Sequence, residues 1–190
     1  MVKAYGAVGM VYAALACAGA ETDDAPSVAQ FGFGHEPSAA EIAALDIDVM
    51  PDGTGLPAGS GTVQRGIALY DAQCASCHGP TGREGPYDVL VGRVPNDEFP
   101  FGRDRTVRST IGNYWPYATT LYDYVFRTMP FGNPGTLDAD EVYSLVAALL
   151  HMNGIITEDA VMNAATLPAV VMPARDRFVV DDRKGGLEVR

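Results

Sequence analysis

Cys74-Ala75-Ser76-Cys77-His78 decides how this chain is read. Two thiols spaced by two residues can bond the two vinyl carbons on one edge of a haem. The residue after the second thiol then lies under the iron, where an imidazole nitrogen can coordinate it. Covalent attachment retains the cofactor in a protein whose own core is small, and the haem becomes part of that core. Two other uses of the pattern fit less well. A thioredoxin-like redox pair follows a strand in a βαβ unit, whereas no strand alternation surrounds these cysteines. A zinc site needs a fourth ligand, and the only other histidines, His35 and His151, have no ligand-like neighbours. The expectation is one covalent haem c on Cys74 and Cys77, with His78 as an axial iron ligand.

Upstream of the motif, residues 62–73 have a helical pattern, with Val63, Ile67 and Tyr70 at three- and four-residue steps. Further back, Ser38 and Glu41 form a capping-box pattern for a short helix over 39–45. Residues 46–61, ending in PDGTGLPAGSG, lack the lysine and the strand–turn–helix context of a phosphate loop. They read as an extended surface strap. Downstream, residues 79–117 are irregular and rich in glycine, proline and aromatics, and residues 119–127 read as a helix running into Met129-Pro130-Phe131-Gly132. Asp138 and Glu141 cap the clearest helix, whose Val142, Leu145, Val146, Leu149 and Leu150 share one face until Asn153-Gly154 stops it. The remainder is a mixed tail with a short helix expected around 158–163.

An electron-transfer haem needs a second strong axial ligand, and a methionine thioether raises the reduction potential. Met129, Met152, Met162 and Met172 follow the motif. Met152 continues the capped helix, and Met162 and Met172 lie in the tail. Met129 stands before Pro130 in a non-helical loop, from which the chain can pass to the opposite haem face. Met129 is the expected sixth ligand, gap-filling packing being the alternative for any methionine and His151 the other candidate ligand. Arg103, Arg105 and Arg108 form a basic group; one of them could pair with a haem propionate, with Trp115, Tyr117 or Tyr122 as hydrogen-bond donors. The bland alternative is a solvated arginine face over aromatic packing.

The 190 residues suffice for one modest domain, and 21 glycines and 13 prolines imply much loop. A formal net charge of −11 argues against nucleic acid as a partner. Lys3, an apolar run from about Ala4 to Ala16 and Ala18-Gly19-Ala20 read as an export signal cleaved near Ala20. Cys17 falls within it, in a weak lipobox context. No stretch reaches the roughly 18 apolar residues of a membrane span. Cleavage leaves Cys74 and Cys77 alone, a pair that would close too small a loop to serve as a staple.

Several further stretches carry a family resemblance: Glu41-Ile42-Ala43, Asp46-Ile47-Asp48-Val49, Pro51-Asp52-Gly53-Thr54-Gly55-Leu56-Pro57, Ile111-Gly112-Asn113-Tyr114-Trp115-Pro116-Tyr117, Met129-Pro130-Phe131-Gly132, and Asp140-Glu141-Val142-Tyr143 through Asn153-Gly154. Over residues 30–182 or so the chain resembles the cytochrome c subunit of the bacterial Sox sulfane dehydrogenase, in its N-terminal haem domain. The haem motif alone would not single out that family. The resemblance implies a molybdenum-cofactor dehydrogenase subunit as partner, which oxidises sulfane sulfur held on a carrier cysteine, and a soluble cytochrome c as electron acceptor. It also implies Cys74 and Cys77 as attachment sites with His78 and Met129 as axial ligands. The best-known members carry a second haem domain; this chain has a single C-x-x-C-H.

The expected fold is all-α: a class I cytochrome c-like haem domain with long extended N- and C-terminal segments. The expected organisation is a signal peptide at 1–20, a strap with a short helix at 21–61, the haem domain at 62–155 and a C-terminal extension at 156–190. The expected role is periplasmic electron transfer in thiosulfate and sulfur oxidation, without a catalytic centre of its own. Three other readings stay open: a free soluble carrier, the cytochrome subunit of a sulfite-oxidising molybdoenzyme, and a haem enzyme or gas sensor with an open iron position.

Overall fold

A computed structural model describes residues 33–94, 98–101 and 103–179. The expected export signal and its cleavage site lie outside the described residues. Residues 39–190 form one compact unit and residues 1–38 a second, of which the described part, 33–38, is exposed. In chain order the first unit holds α1 (Ala39–Leu45), β1 (Ser60–Thr62), α2 (Val63–Gln73), α3 (Ala75–His78), α4 (Ala118–Thr128), α5 (Ala139–Met152), β2 (Val161–Asn163) and a 3-10 turn (Arg175–Arg177).

The core forms where α2, α4 and α5 pack together. The Thr62 hydroxyl starts α2 by accepting from Arg65 N at 3.3 Å. The buried residues of α2 are Val63, Gly66 and Tyr70. Ile67, placed on the inner face by apolar spacing, is 38% exposed. Gly66 takes that face instead, because the α5 backbone approaches so closely that a Cβ would run into Ser144 O. Gly61 meets the Ser144 backbone in the same way.

The α5 capping box is complete: Glu141 N donates to Asp138 Oδ1 at 2.8 Å and Asp138 N to Glu141 Oε2 at 2.9 Å. Sequence spacing assigned α5 one apolar face, yet every residue from Val142 to Leu150 is buried. Neighbours on several sides explain this, since α2, α4, β1 and β2 all pack against it. Ser144 is tolerated there because its hydroxyl donates to Asp140 O at 2.7 Å. The helix ends at Asn153, followed by Gly154 at φ +66°.

The tail differs from expectation. No helix forms around 158–163. Residues Val161–Asn163 make β2, antiparallel to β1, with Gly61 opposite Met162. Met162 is buried. The strand ends in a turn tied by Asn163 Oδ1, which accepts from Ala165 N and Thr166 N. The molecule is therefore predominantly helical with a two-stranded addition. That addition also ends the strap, which is anchored more firmly than a surface segment would be. Val49 is buried and its N–H donates to Asp123 Oδ1 at 2.9 Å; the Thr119 hydroxyl donates to Pro51 O at 3.0 Å and the Tyr143 hydroxyl to Pro57 O at 2.9 Å. In contrast, α1 buries none of its residues.

Candidate haem site

The helix α2 delivers the chain into the motif without a break. Cys74 N donates to Tyr70 O at 2.8 Å, closing α2, and Cys74 O accepts from Cys77 N at 3.0 Å and His78 N at 2.9 Å, opening α3. Both thiols are thus held on one helical turn, and both are free. Cys74 packs against the apolar core, whereas Cys77 is exposed. Burial, with a smaller contribution from Cys77, pushes the Cys74 thiol up to about 11. A redox-exchange pair needs the opposite, a thiolate favoured at neutral pH.

His78 is oriented by a backbone acceptor. Its Nδ1 lies 2.8 Å from Asp88 O. A carbonyl only accepts, so Nδ1 carries the proton and the lone pair is left on Nε2. That is the tautomer an iron-ligating imidazole needs, and the acceptor fixes the orientation of the ring. Two free thiols on one turn and a histidine in the ligating tautomer fit the chemistry of covalent haem attachment.

The segment carrying Asp88 is folded back against α3. Gly79 ends α3 at φ +83°, and its carbonyl accepts from the Tyr70 hydroxyl at 2.8 Å. Burial pushes Tyr70 up to about 12, so it remains a donor. Glu84 closes the following turn. Its carboxylate accepts from Thr81 N at 3.2 Å, from Arg83 N at 3.3 Å and from the Thr81 hydroxyl. These bonds, the Thr81 hydroxyl's first, hold its carboxyl below the ordinary range. Next, Gly85 lies against Cys77 O so closely that a Cβ would collide, and Tyr87 N donates to the same carbonyl at 3.3 Å. Glu84, Gly85 and the Asp88 carbonyl were not singled out from sequence. The run Gly79, Gly82, Gly85 was the available signal, since closely spaced glycines mark close backbone approach.

An open cavity of about 420 Å³ lies along this segment, lined by Arg83, Gly85, Pro86, Tyr87, Asp88, Val89 and Arg108. Of the three arginines, one of which was expected to pair with a propionate, Arg108 lines this cavity; Arg103 and Arg105 are exposed and do not. Trp115 packs edge-on to Tyr124, and Tyr117 lies under the Arg175 guanidinium, 5.3 Å from the ring centre. The Tyr122 hydroxyl is buried without a hydrogen-bond partner, and burial raises its pKa.

Met129 is the residue at which α4 gives way to extended chain, at φ −116° and ψ 147°, and its side chain packs half-buried against the core. Met162 and Met172 are sunk in the core, and Met152 is half-buried at the end of α5. His151 Nδ1 lies 3.3 Å from Ile156 O. Among the described residues, no three His, Cys, Asp or Glu side chains come together as a metal site, and no helix is long and apolar enough to cross a membrane.

Residues 61–147 match the family model described as cytochrome c oxidase, cbb3-type, subunit III. No curated protein matches the chain. The solved structure of the sulfane dehydrogenase SoxCD from Paracoccus pantotrophus is similar over 80% of this chain and 73% of its own, with 43% identity and a TM-score of 0.69. The chain belongs to the family of the Sox sulfane dehydrogenase cytochrome subunit. It is an electron-transfer cytochrome, and the resemblance read from its strap, its Trp-Pro-Tyr segment and its Met-Pro-Phe-Gly segment holds.

Proposed function

We propose that this chain is an exported, periplasmic cytochrome carrying one covalent haem c. It receives electrons from a molybdenum-cofactor sulfane dehydrogenase subunit and passes them to a soluble cytochrome c during thiosulfate and sulfur oxidation. The haem domain is residues 62–155, preceded by the strap and followed by the C-terminal extension. The 43% identity to a chain of SoxCD is the observation that carries this reading.

Cys74 and Cys77 would hold the group by thioether bonds, and His78 Nε2 and Met129 Sδ would be the side-chain atoms that ligate its iron. Haem iron supplies reversible one-electron chemistry when bound. The residues around it control that chemistry. The Asp88 carbonyl keeps His78 in its ligating tautomer. Burial of Met162 and Met172 leaves them poorly placed as ligands, which favours Met129 at the start of its loop. With both side chains ligating, the iron would be closed to substrates, and the chain would conduct electrons and leave sulfur chemistry to its partner.

Capture of the tagged chain from the periplasm of thiosulfate-oxidising cells tests the reading. A molybdenum-containing protein should copurify in fixed ratio. Recovery of a haem-loaded monomer with no such protein would rule out the dehydrogenase partnership and favour a free carrier. A Met129→Ala change should lower the reduction potential and open the reduced iron to carbon monoxide; an unchanged spectrum and potential would remove Met129 from the ligand set.

A further inference from the structure

We propose that Glu84 is a positioning residue for the haem iron: by locking the turn after α3, it sets how strongly His78 donates to the metal. The proposal rests on the reading of His78 as an iron ligand and deepens it.

A continuous set of contacts leads from Glu84 to the imidazole. The Glu84 carboxylate draws in Thr81 N, Arg83 N and the Thr81 hydroxyl, folding residues 81–84 onto themselves. The same carboxylate lies against Gly79, at the end of α3, where a Cβ would meet it. Gly82 N donates to Gly79 O at 3.1 Å, and Gly82 O accepts from Leu90 N at 2.8 Å and Val91 N at 3.1 Å. The turn is thus clamped to α3 on one side and to residues 90–91 on the other. Gly85 and Tyr87 follow directly, both against Cys77 O. Asp88, whose carbonyl accepts from His78 Nδ1, lies between these anchors. Its position is therefore set by the turn that Glu84 closes.

This placement has an electronic consequence. A well-aligned acceptor at Nδ1 makes an imidazole a stronger donor through Nε2. A stronger donor favours ferric over ferrous iron and lowers the potential. Loosening the Glu84 turn lets the Asp88 carbonyl drift, weakens that bond and raises the potential. Glu84 is exposed and outside the core, so its substitution need not unfold the helices.

The test compares Glu84→Gln and Thr81→Val in the haem-loaded protein. Thr81→Val removes the hydroxyl donor and leaves the Glu84 charge in place. Two quantities are read: exchange of the His78 Nδ1 proton by NMR in the reduced protein, and the reduction potential. Both variants should exchange roughly three- to tenfold faster, the worth of about one net hydrogen bond in local opening, and both should shift upward in potential. Unchanged exchange in both overturns the proposal. A potential shift confined to Glu84→Gln, with exchange unaltered, traces the effect to lost charge and overturns it too. If instead the unmodified protein shows an unligated His78 ring, the axial-ligand reading itself fails, a result distinct from either of these.

Discussion

Where α2 crosses α5, order comes from apolar burial: Val63, Tyr70, Val142, Val146 and Leu150 are all at most 1% exposed. Along residues 79–92 it comes from hydrogen bonds. Gly79, Gly82 and Val91 are buried there, and the run is tied together by Tyr70, Glu84, Gly82 O and Asn153, whose Oδ1 accepts from Gly92 N at 3.0 Å. The two regions meet at Cys74, which ends α2 and opens the haem motif. A helix crossing of this kind sets global stability, because removing apolar volume leaves a void that close-packed neighbours cannot fill. The hydrogen-bonded loop sets local geometry, and through the Asp88 carbonyl it controls the imidazole. Substitutions should separate accordingly: those in the crossing should cost stability and spare the haem spectrum, and those in the loop should do the reverse.

The largest effect is expected from Leu150→Ala. The side chain is fully buried, so deletion should cost about 2–5 kcal/mol. Denaturant unfolding of the haem-loaded protein checks this. A loss below about half a kilocalorie, the range of an ordinary surface change, would show that the crossing is not the stability centre. Gly66→Ala comes next. Its Cβ has no room beside Ser144 O and Ala148, and forcing the helices apart should cost about 1–3 kcal/mol. Gly132→Ala is the control: nothing lies within 4 Å of its Cβ position and its φ is not positive, so stability should stay within about 0.5 kcal/mol. Equal losses at both glycines would contradict the close approach of α2 and α5.

Asp138→Ala tests the crossing from its end. It removes the bond from Glu141 N and should cost about 1 kcal/mol, with no change in reduction potential. A potential shift as large as that of a loop variant would erase the division between the two regions.

The same division explains what was legible in the sequence. The helices α2 and α5 were legible through apolar spacing, and α5 also through its Asp138–Glu141 cap, because burial and capping act over a few neighbouring residues. Even there, spacing did not tell that Gly66, and not Ile67, takes the buried face against α5, because that depends on how closely the two helices approach. The β1–β2 pair was missed because strands of three residues show no period, and Met162 is buried because the ladder brings β2 against α5, where it joins the core. The Cys74, Cys77 and His78 spacing was readable as a haem-attachment motif, since that chemistry would dictate it. The acceptor for His78 was not, because it is a main-chain carbonyl, and any residue could stand at position 88.

The smallest expected effect is acid-induced and confined to the loop. Glu84 has its carboxyl held below its ordinary value of 4.5 by bonds to Thr81 and Arg83. For a carboxylate depressed in the folded state, the stabilisation is complete above the ordinary value. It is lost as pH falls through the lower folded one. Its carboxylate is exposed, so the loss should be local and not a global unfolding. Hydrogen exchange can resolve this if protection factors are compared, because intrinsic exchange also slows with acid. Below the ordinary Glu84 value the amides of Thr81 and Arg83 should lose protection, while those of Val146 and Leu150 on α5 keep theirs. Uniform loss across loop and helix would mean that the turn and the crossing open together. The loop at 79–92 would then be an extension of the core and not a separately tuned device.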